Sequence, residues 1–319
     1  MISVIICTYN RDRMLEETVR SFLDCRTDHI DLELLLLDNK STDKTREVGL
    51  GFSARYPWIR YIHEPIQGLS HARNRGVRES RGDIVVFLDD DVYLSPGWLT
   101  ALASSFERHP DVACIGGRVV PHFETARPKW LEDGMLIIYG ITEFGENERE
   151  IRPPEVPIGC NMAFRREVFE QIGDFPTSLG RKGGSLLSND ENFFLLSAAK
   201  AGLKTFYSPD ACVFHRIPPD RMTLKWILRR WYWQGISEVA MKQIGEDPLR
   251  RGGLAKSAVK SLLALLRQWK DAAGLLSAQS GRGGSTSIQK QIKLCHQLGT
   301  LRQFVVEALA VPVRKEVGK

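Results

Sequence analysis

Ile84-Val85-Val86-Phe87-Leu88-Asp89-Asp90-Asp91 is the stretch on which the fold turns. Its apolar run is mostly β-branched or aromatic and too short for a helix, so it reads as a strand buried on both faces. Ile2 to Cys7 has the same character, the leucine-rich Leu32 to Leu37 reads as a second strand, and Trp58 to Ile62 as a weaker third. Helical patterns lie between them. Met14, Leu15, Val19, Phe22 and Leu23 recur at helical spacing. Ser41-Thr42-Asp43 offers capping chemistry for a helix running to about Arg55. Ser70 to Glu79 looks helical, and Pro96 stands where another helix begins near Gly97-Trp98-Leu99. Strands alternating with helices predict an α/β fold, with a parallel sheet and right-handed crossovers.

Polar residues close the strong strands: Thr8-Tyr9-Asn10 the first, Asp38-Asn39 the second, Asp89-Asp90-Asp91 the fourth. Ligands of open α/β sheets bind beyond the carboxyl ends of the strands, so this rim is the candidate site. In an extended chain Asp89 and Asp91 project one way and Asp90 the other. Three adjacent carboxylates repel one another. A divalent cation relieves that, and Mg²⁺ or Mn²⁺ takes one or two carboxylates plus phosphate oxygens. The plain alternative is an acidic turn. No G-x-G-x-x-G follows the first strand and no phosphate-loop lysine motif exists, which excludes those two nucleotide sites. Gly281-Arg282-Gly283-Gly284-Ser285 reads as a flexible connector.

At 319 residues the chain exceeds the roughly 250–300 that one core supports, so a domain with an appendage is expected. Its 43% apolar and 26% charged residues exclude disorder and fibrous repeats. Six scattered cysteines without a C-x-x-C argue against a disulfide framework or zinc site and for a reducing cytosol. No apolar run approaches the roughly 18 residues of a membrane span, and Ile2 to Cys7 is too short and lacks the basic leader of a signal peptide. The net charge of +5 is divided unevenly: residues 221–319 hold 18 Lys+Arg against 6 Asp+Glu. A mildly acidic front thus carries a basic tail. Such a tail suits an anionic partner or is simply a solvated helical face.

Five motifs in order carry a resemblance: Ser3-Val4-Ile5-Ile6-Cys7-Thr8-Tyr9-Asn10-Arg11, Leu37-Asp38-Asn39-Lys40-Ser41-Thr42-Asp43, Ala72-Arg73-Asn74-Arg75-Gly76, Phe87-Leu88-Asp89-Asp90-Asp91, and Gly159-Cys160-Asn161-Met162-Ala163-Phe164-Arg165-Arg166 with Asn189-Asp190-Glu191 behind it. Together they resemble the inverting glycosyltransferases of family two, over about residues 1–216. The resemblance implies a GT-A fold with a mostly parallel sheet flanked by helices. It implies a catalytic domain over 1–220, made of a nucleotide-sugar half (1–118) and an acceptor half (119–220), ahead of a basic helical extension over 221–319.

By the same resemblance, Thr8, Tyr9 and Asn10, Arg11 beside them, and Asp38 lie at the nucleotide-base pocket. Arg73 stands near the diphosphate, where a guanidinium forks onto phosphate oxygens. Asp89 and Asp90 belong to the donor side, with Asp89 toward the ribose and sugar. Asp91 ligates Mn²⁺ or Mg²⁺, with Asp89 and His215 as further candidate ligands; His215 is equally open to a structural reading. Asn161 falls in the acceptor-side motif and is counted with the donor-binding set. The family's base sits in an x-Glu-Asp motif, and here the two carboxylates are exchanged. By position Glu191 takes the base slot, while Asp190 contacts the acceptor or orients Glu191; the same residues could also cap a helix over Asn192 to Lys200. Gly180, Gly183 and Gly184 suggest a loop that closes over the donor. Cys160, with no paired His, reads as a packing residue.

The expected reaction moves a sugar from a nucleoside-diphosphate donor to a hydroxyl of a glycan or lipid-linked acceptor. A nucleotidyltransferase would favour a glycine-rich basic loop after the first strand. A non-catalytic binding module would have been favoured by loss of Asp91 or of the carboxylate pair. In the tail, Trp226, Ile227, Trp231, Tyr232, Trp233 and Ile236 mix with Arg221, Lys225, Arg229 and Arg230. That helix either lies in a membrane interface or packs on protein. Amphipathic patterns over 254–278 and 288–310, with Leu262-Leu263-Leu265-Leu266 as the core of the first, suit acceptor holding or self-association. The expected setting is cytoplasmic, peripheral on the inner face of the plasma membrane, without nucleic acid.

Overall fold

A computed structural model describes residues 1–25, 29–244, 251–276 and 285–310. The front of the chain alternates as its sequence predicts: β1 (Ile2–Thr8), α1 (Asp12–Asp24), β2 (Leu32–Asp38), α2 (Thr45–Arg55), β3 (Ile59–His63), α3 (Leu69–Glu79), β4 (Ile84–Asp89), β5 (Val92–Leu94), α4 (Trp98–Arg108). The rear half follows with β6 (Cys114–Phe123), β7 (Arg149–Ile151), β8 (Asn161–Arg165), α5 (Glu167–Ile172), α6 (Asp190–Lys200) and β9 (Thr205–Ile217). Three helices end the described chain: α7 (Leu224–Ile244), α8 (Arg251–Leu276) and α9 (Ser285–Ala310). The connector expected at Gly281 to Ser285 falls outside the described residues but for Ser285, which opens α9, as do the last two residues of the pattern over 254–278.

The sheet runs β3-β2-β1-β4-β8-β6-β9-β5, with β7 pairing β9. The order β3-β2-β1-β4 is parallel throughout. Beyond β4 the sheet is mixed: β8 is antiparallel to β4 and β6, whereas β6 and β9 are parallel. Alternation along the central strands divides the core. Val4, Ile6, Leu34, Leu36, Val86 and Leu88 face one layer, packed with Leu15, Val19 and Phe22 of α1 and with Trp98, Leu99 and Leu102 of α4. Ile5, Leu35, Leu37, Val85 and Phe87 face the other, against Ala72 and Val77 of α3, Val168 and Phe169 of α5 and Phe194 and Leu195 of α6. Near-continuous apolar runs are what strands covered on both faces require. Asp43, expected to cap α2, accepts the Thr45 N–H at 3.0 Å, so its turn precedes the helix by one step.

The chain divides into two compact units: Met1–Arg127 with Asp133–Gly184 and Asp190–Pro219, and Pro128–Glu132 with Ser185–Asn189 and Asp220–Lys319. In the second unit, α7, α8 and α9 share a small core of Val239, Leu254 and Phe304. The Ser188 N–H donates to Ser237 Oγ at 3.0 Å, and the Gln234 amide donates to Asn189 Oδ1 at 3.3 Å, where Asn189 has φ +73°. Ile227 and Ile236 of α7 are buried, its aromatic residues Trp226, Trp231, Tyr232 and Trp233 are half-buried, and the Trp231 ring meets His296 edge-on. Packing therefore accounts for part of the aromatic pattern in α7.

Helices α7 and α9 cross with their backbones touching. A Cβ on Gly235 would overlap the His296 carbonyl oxygen, and one on Gly299 would overlap that of Tyr232. Alanine gains up to about 1 kcal/mol of helix propensity over glycine, while overpacking costs about 1–3 kcal/mol. Gly235→Ala and Gly299→Ala are each expected to lower the thermal midpoint of the protein, and an unchanged or raised midpoint would refute so close a crossing.

Candidate active site

The site grows from the end of β4. Asp89 is its last residue, and Asp90 and Asp91 turn the chain into β5. Strand β5 pairs with β9 so that Val92 stands opposite His215. That register brings an element more than a hundred residues away onto the acidic turn. One carboxylate oxygen each of Asp89 and Asp91 and one nitrogen of His215 lie within 4.8 Å of one another. His215 Nδ1 is 2.6 Å from the Tyr139 carbonyl, which can only accept, so the Nδ1–H donates there. Nε2 is left facing Asp91 Oδ1 at 3.3 Å. Two electron-rich atoms at that distance call for a proton or a cation between them. Two carboxylates and an imidazole with a fixed tautomer fit a divalent cation, and the nitrogen ligand suits Mn²⁺ better than Mg²⁺.

Asp90 turns away from this cluster, as alternation predicts. Its carboxylate accepts from Thr8 Oγ1 at 2.7 Å and from the Arg11 guanidinium at 2.6 Å, and its carbonyl accepts from Thr18 Oγ1 at 2.9 Å. Arg11 also reaches Asp91 at 2.8 Å. Burial pushes the carboxyls of Asp89 and Asp90 upward, and Asp91 beside them adds to it; Arg73 opposes this at Asp89 and Arg11 at Asp90. Arg11 is itself pushed to a more basic value, chiefly by Asp90.

The ends of β1 and β2 are tied together. The Asn39 N–H donates to the Thr8 carbonyl at 2.9 Å. Asn10, at φ +52°, takes the Thr42 N–H on its side chain at 2.7 Å and gives its own N–H to Ser41 Oγ at 2.9 Å. Asp38 is buried, accepting from the Ser41 N–H at 2.8 Å and from the Tyr61 hydroxyl at 2.7 Å. Tyr9 is half-buried beside them.

Arg73 of α3 is buried at the centre of the site. Its guanidinium lies 2.7 Å from Asp190, 3.6 Å from Glu191 and 3.9 Å from Asp89. Phe87 and Phe175 flank it at 5.9 and 5.6 Å from their ring centres. Gly159 closes the cage: a Cβ there would overlap the guanidinium. Asp190 and Glu191 form the first turn of α6 rather than preceding it, so the helix N-terminus favours their negative charge. Burial raises Asp190, but Arg73 and the bond from Glu191 outweigh it and hold Asp190 below the usual carboxylate range. Burial and the neighbouring Asp190 push Glu191 up to about 8. Asp190 is buried, whereas 17% of the Glu191 side chain is exposed.

Asn161 is engaged within the sheet: its carbonyl accepts from Trp98 Nε1 at 3.0 Å, and its amide donates to the carbonyls of Ala211 and Arg118. Cys160 is buried and its thiol lies well above its ordinary value because of that burial; Cys7 is pushed up to about 12 by burial. Both thiols are thereby held in the protonated form near neutral pH. Tyr139, Tyr61 and Ser70, whose hydroxyl donates to Asp190 at 3.2 Å, were not marked as site residues by the sequence, and Gly159 was marked only as part of a motif. Each acts on the site through a contact with a partner distant in the chain, which local pattern does not show.

The architecture is that of the GT-A glycosyltransferases. The mannosyltransferase PcManGT from Pyrobaculum calidifontis, solved with GDP-Man and Mn²⁺, shares the fold at a TM-score of 0.60 and 21% identity, over 97% of this chain and 87% of that one. Among curated relatives, the glucosyl-dolichyl phosphate glucuronosyltransferase of Haloferax volcanii is 29% identical over 75% of this chain and 77% of its own. The succinoglycan biosynthesis protein ExoM of Rhizobium meliloti is 31% identical over 73% and 72%. Residues 3–173 match the family model for glycosyl transferase family 2, and the chain belongs to that family. It is a glycosyltransferase using a nucleotide-sugar donor.

Removing one partner of a buried ion pair costs ~3–5 kcal/mol. Arg73→Met is expected to lose stability on this scale at neutral pH. Asp190, depressed by Arg73, stabilises the fold above its unfolded value of about 3.9 and loses that stabilisation as pH falls through its native value. The gap between variant and wild type in urea unfolding should therefore narrow in acid; a gap independent of pH would refute the pairing.

Proposed function

We propose that the chain transfers a sugar with inversion from a nucleoside-diphosphate donor to a hydroxyl of a glycan or lipid-linked acceptor, with Glu191 as general base. The observation that carries this reading is the reach of Arg73. One guanidinium lies within 4 Å of Asp89 at the donor rim and of both Asp190 and Glu191. Donor and base are thereby held to one centre.

Two carboxylates whose environments push them apart divide acid–base roles between them. Asp190 stays ionised and fixes the geometry. Glu191, raised and partly open to solvent, holds or releases a proton near working pH. That suits removal of the acceptor proton as the oxygen attacks the anomeric carbon from the face opposite the leaving group. The direct displacement needs no covalent intermediate, which agrees with two inert thiols. Asp89, Asp91 and His215 would hold Mn²⁺ or Mg²⁺. When bound, such a cation neutralises charge gathering on the departing diphosphate.

Thr8, Tyr9, Asn10 and Asp38 line the end of the sheet where the nucleoside would sit, and Asp38 retains acceptor capacity for a base N–H. Arg11 is exposed enough to meet phosphate oxygens while it screens the acidic turn. Arg73, buried among the carboxylates, acts on the diphosphate by its field rather than by contact. Asn161 is read as a scaffold for the sheet beneath the donor. In this reading 1–118 serves the donor, 119–220 the acceptor, and 221–319 brings the enzyme to an anionic membrane on the cytoplasmic side. Among the described residues no helix is long and apolar enough to cross a membrane.

Glu191→Gln should keep donor binding and lose at least ~100-fold in transfer. Because the base must be deprotonated to act, kcat/KM of the free enzyme should rise with pH and level above an apparent pKa of about 8. An acid limb at the ordinary value for glutamate would move the base elsewhere. Asp91→Ala should abolish Mn²⁺-dependent nucleotide binding in calorimetry, and undiminished binding would remove it from the ligand set.

A further inference from the structure

Helix α8 carries its apolar residues on two sides. Leu254 and Leu265 are buried, and Ala258 packs on the shared core with Val239 and Phe304. Ala255, Val259, Leu262, Leu263 and Leu266 are exposed, the last four by 45–57%. Their spacing of i, i+4, i+7, i+8 and i+11 confines them to about 100° of the helix surface. Lys256 and Lys260, both exposed, lie on the adjoining arc. Helix α9 repeats the arrangement. Leu298, Val305, Val306 and Leu309 are exposed, Leu309 by 73%, and the exposed Arg302 falls in the same stripe. Scattered surface leucines are ordinary, but two apolar stripes on neighbouring helices, each with basic residues beside or within it, are not.

We propose that these two stripes are a seat for an anionic lipid bilayer, on which α8 and α9 lie in the interface plane. An apolar stripe flanked by lysine is the pattern of an interfacial helix, whose side-chain ammonium groups reach the headgroups while its leucines enter the acyl boundary. The charge selects this occupant over a second copy of the chain. Residues 251–266 contain no acidic side chain. In a two-fold contact through this stripe, Lys256 and Lys260 would face a segment of the other copy that is basic like their own, with no carboxylate in it to answer them. Anionic headgroups are attracted instead. The seat rests on the membrane reading given above but not on the donor chemistry, and it moves the contact from the aromatic helix α7 to α8 and α9.

The test uses the full chain and flotation with vesicles of phosphatidylcholine, with and without phosphatidylglycerol. Wild type is expected to float with the anionic vesicles only. The triple variant Leu262→Gln, Leu263→Gln, Leu266→Gln should lower partitioning at least ~tenfold, and Lys256→Gln with Lys260→Gln by a similar factor. Both should retain nucleotide binding. Hydrogen exchange of wild type needs no variant: on anionic vesicles, protection should appear over 252–266 and 298–310. Binding by the triple variant equal to wild type, or protection confined to α7, would overturn the seat and leave the membrane reading standing. Failure of wild type to bind either vesicle would overturn both. A dimer that falls to monomer in the triple variant would assign the stripes to a second copy and overturn the seat.

Discussion

Five carboxylates, from Asp89, Asp90, Asp91, Asp190 and Glu191, share two guanidinium groups, those of Arg11 and Arg73, at the rim of the sheet. Among the described ion pairs of this rim, carboxylates outnumber guanidinium groups, and most of these groups have little access to water. Each carboxylate must therefore find a donor, take up a proton or meet a cation. The outcomes differ residue by residue. Asp90 is satisfied by Thr8 and Arg11, and Asp190 by Arg73. Glu191 resolves the conflict by rising toward neutrality, and Asp89 and Asp91 resolve theirs beside His215. A single electrostatic constraint thus gives chemically similar side chains different environments, and the proposed roles of anchor, base and cation ligand rest on those differences.

The sheet and its packing make that constraint possible. Both faces of the central strands are covered, so their carboxyl ends emerge between layers of apolar side chains rather than into open solvent. The phenylalanines at 87, 164, 169, 175 and 194 stack into a cluster beneath Arg73. A guanidinium tolerates such a place because its flat faces suit aromatic rings while its edge serves carboxylates. Lysine could satisfy the charge but not both geometries.

Features set by neighbouring residues were legible in the sequence. The strands at Ile2, Leu32 and Ile84, the acidic turn, and the helices between them follow from runs and spacings a few residues long. Thr45, where α2 begins, was missed by a short margin because Asp43 closes its own turn first. The exchange of Asp and Glu at 190 and 191 could be seen, but not its consequence, which depends on which carboxylate meets Arg73. Tyr139 and Tyr61 left no trace, and Gly159 stood in a motif without its role showing, since each matters only through a residue brought near by folding. The mixed rear half was equally hidden: β9 owes its place to pairing with β5, β6 and β7, not to its own pattern. In the tail, aromatic residues among arginines drew attention to α7, yet burial of Ile227 and Ile236 shows how much of that helix is occupied by protein.

The contact of Gly235 and Gly299 with opposing carbonyls has one more implication. Where two helices meet main chain to main chain, no slot remains between them for a hydrocarbon tail to thread. A polyprenyl or fatty substrate could not be swallowed at that junction.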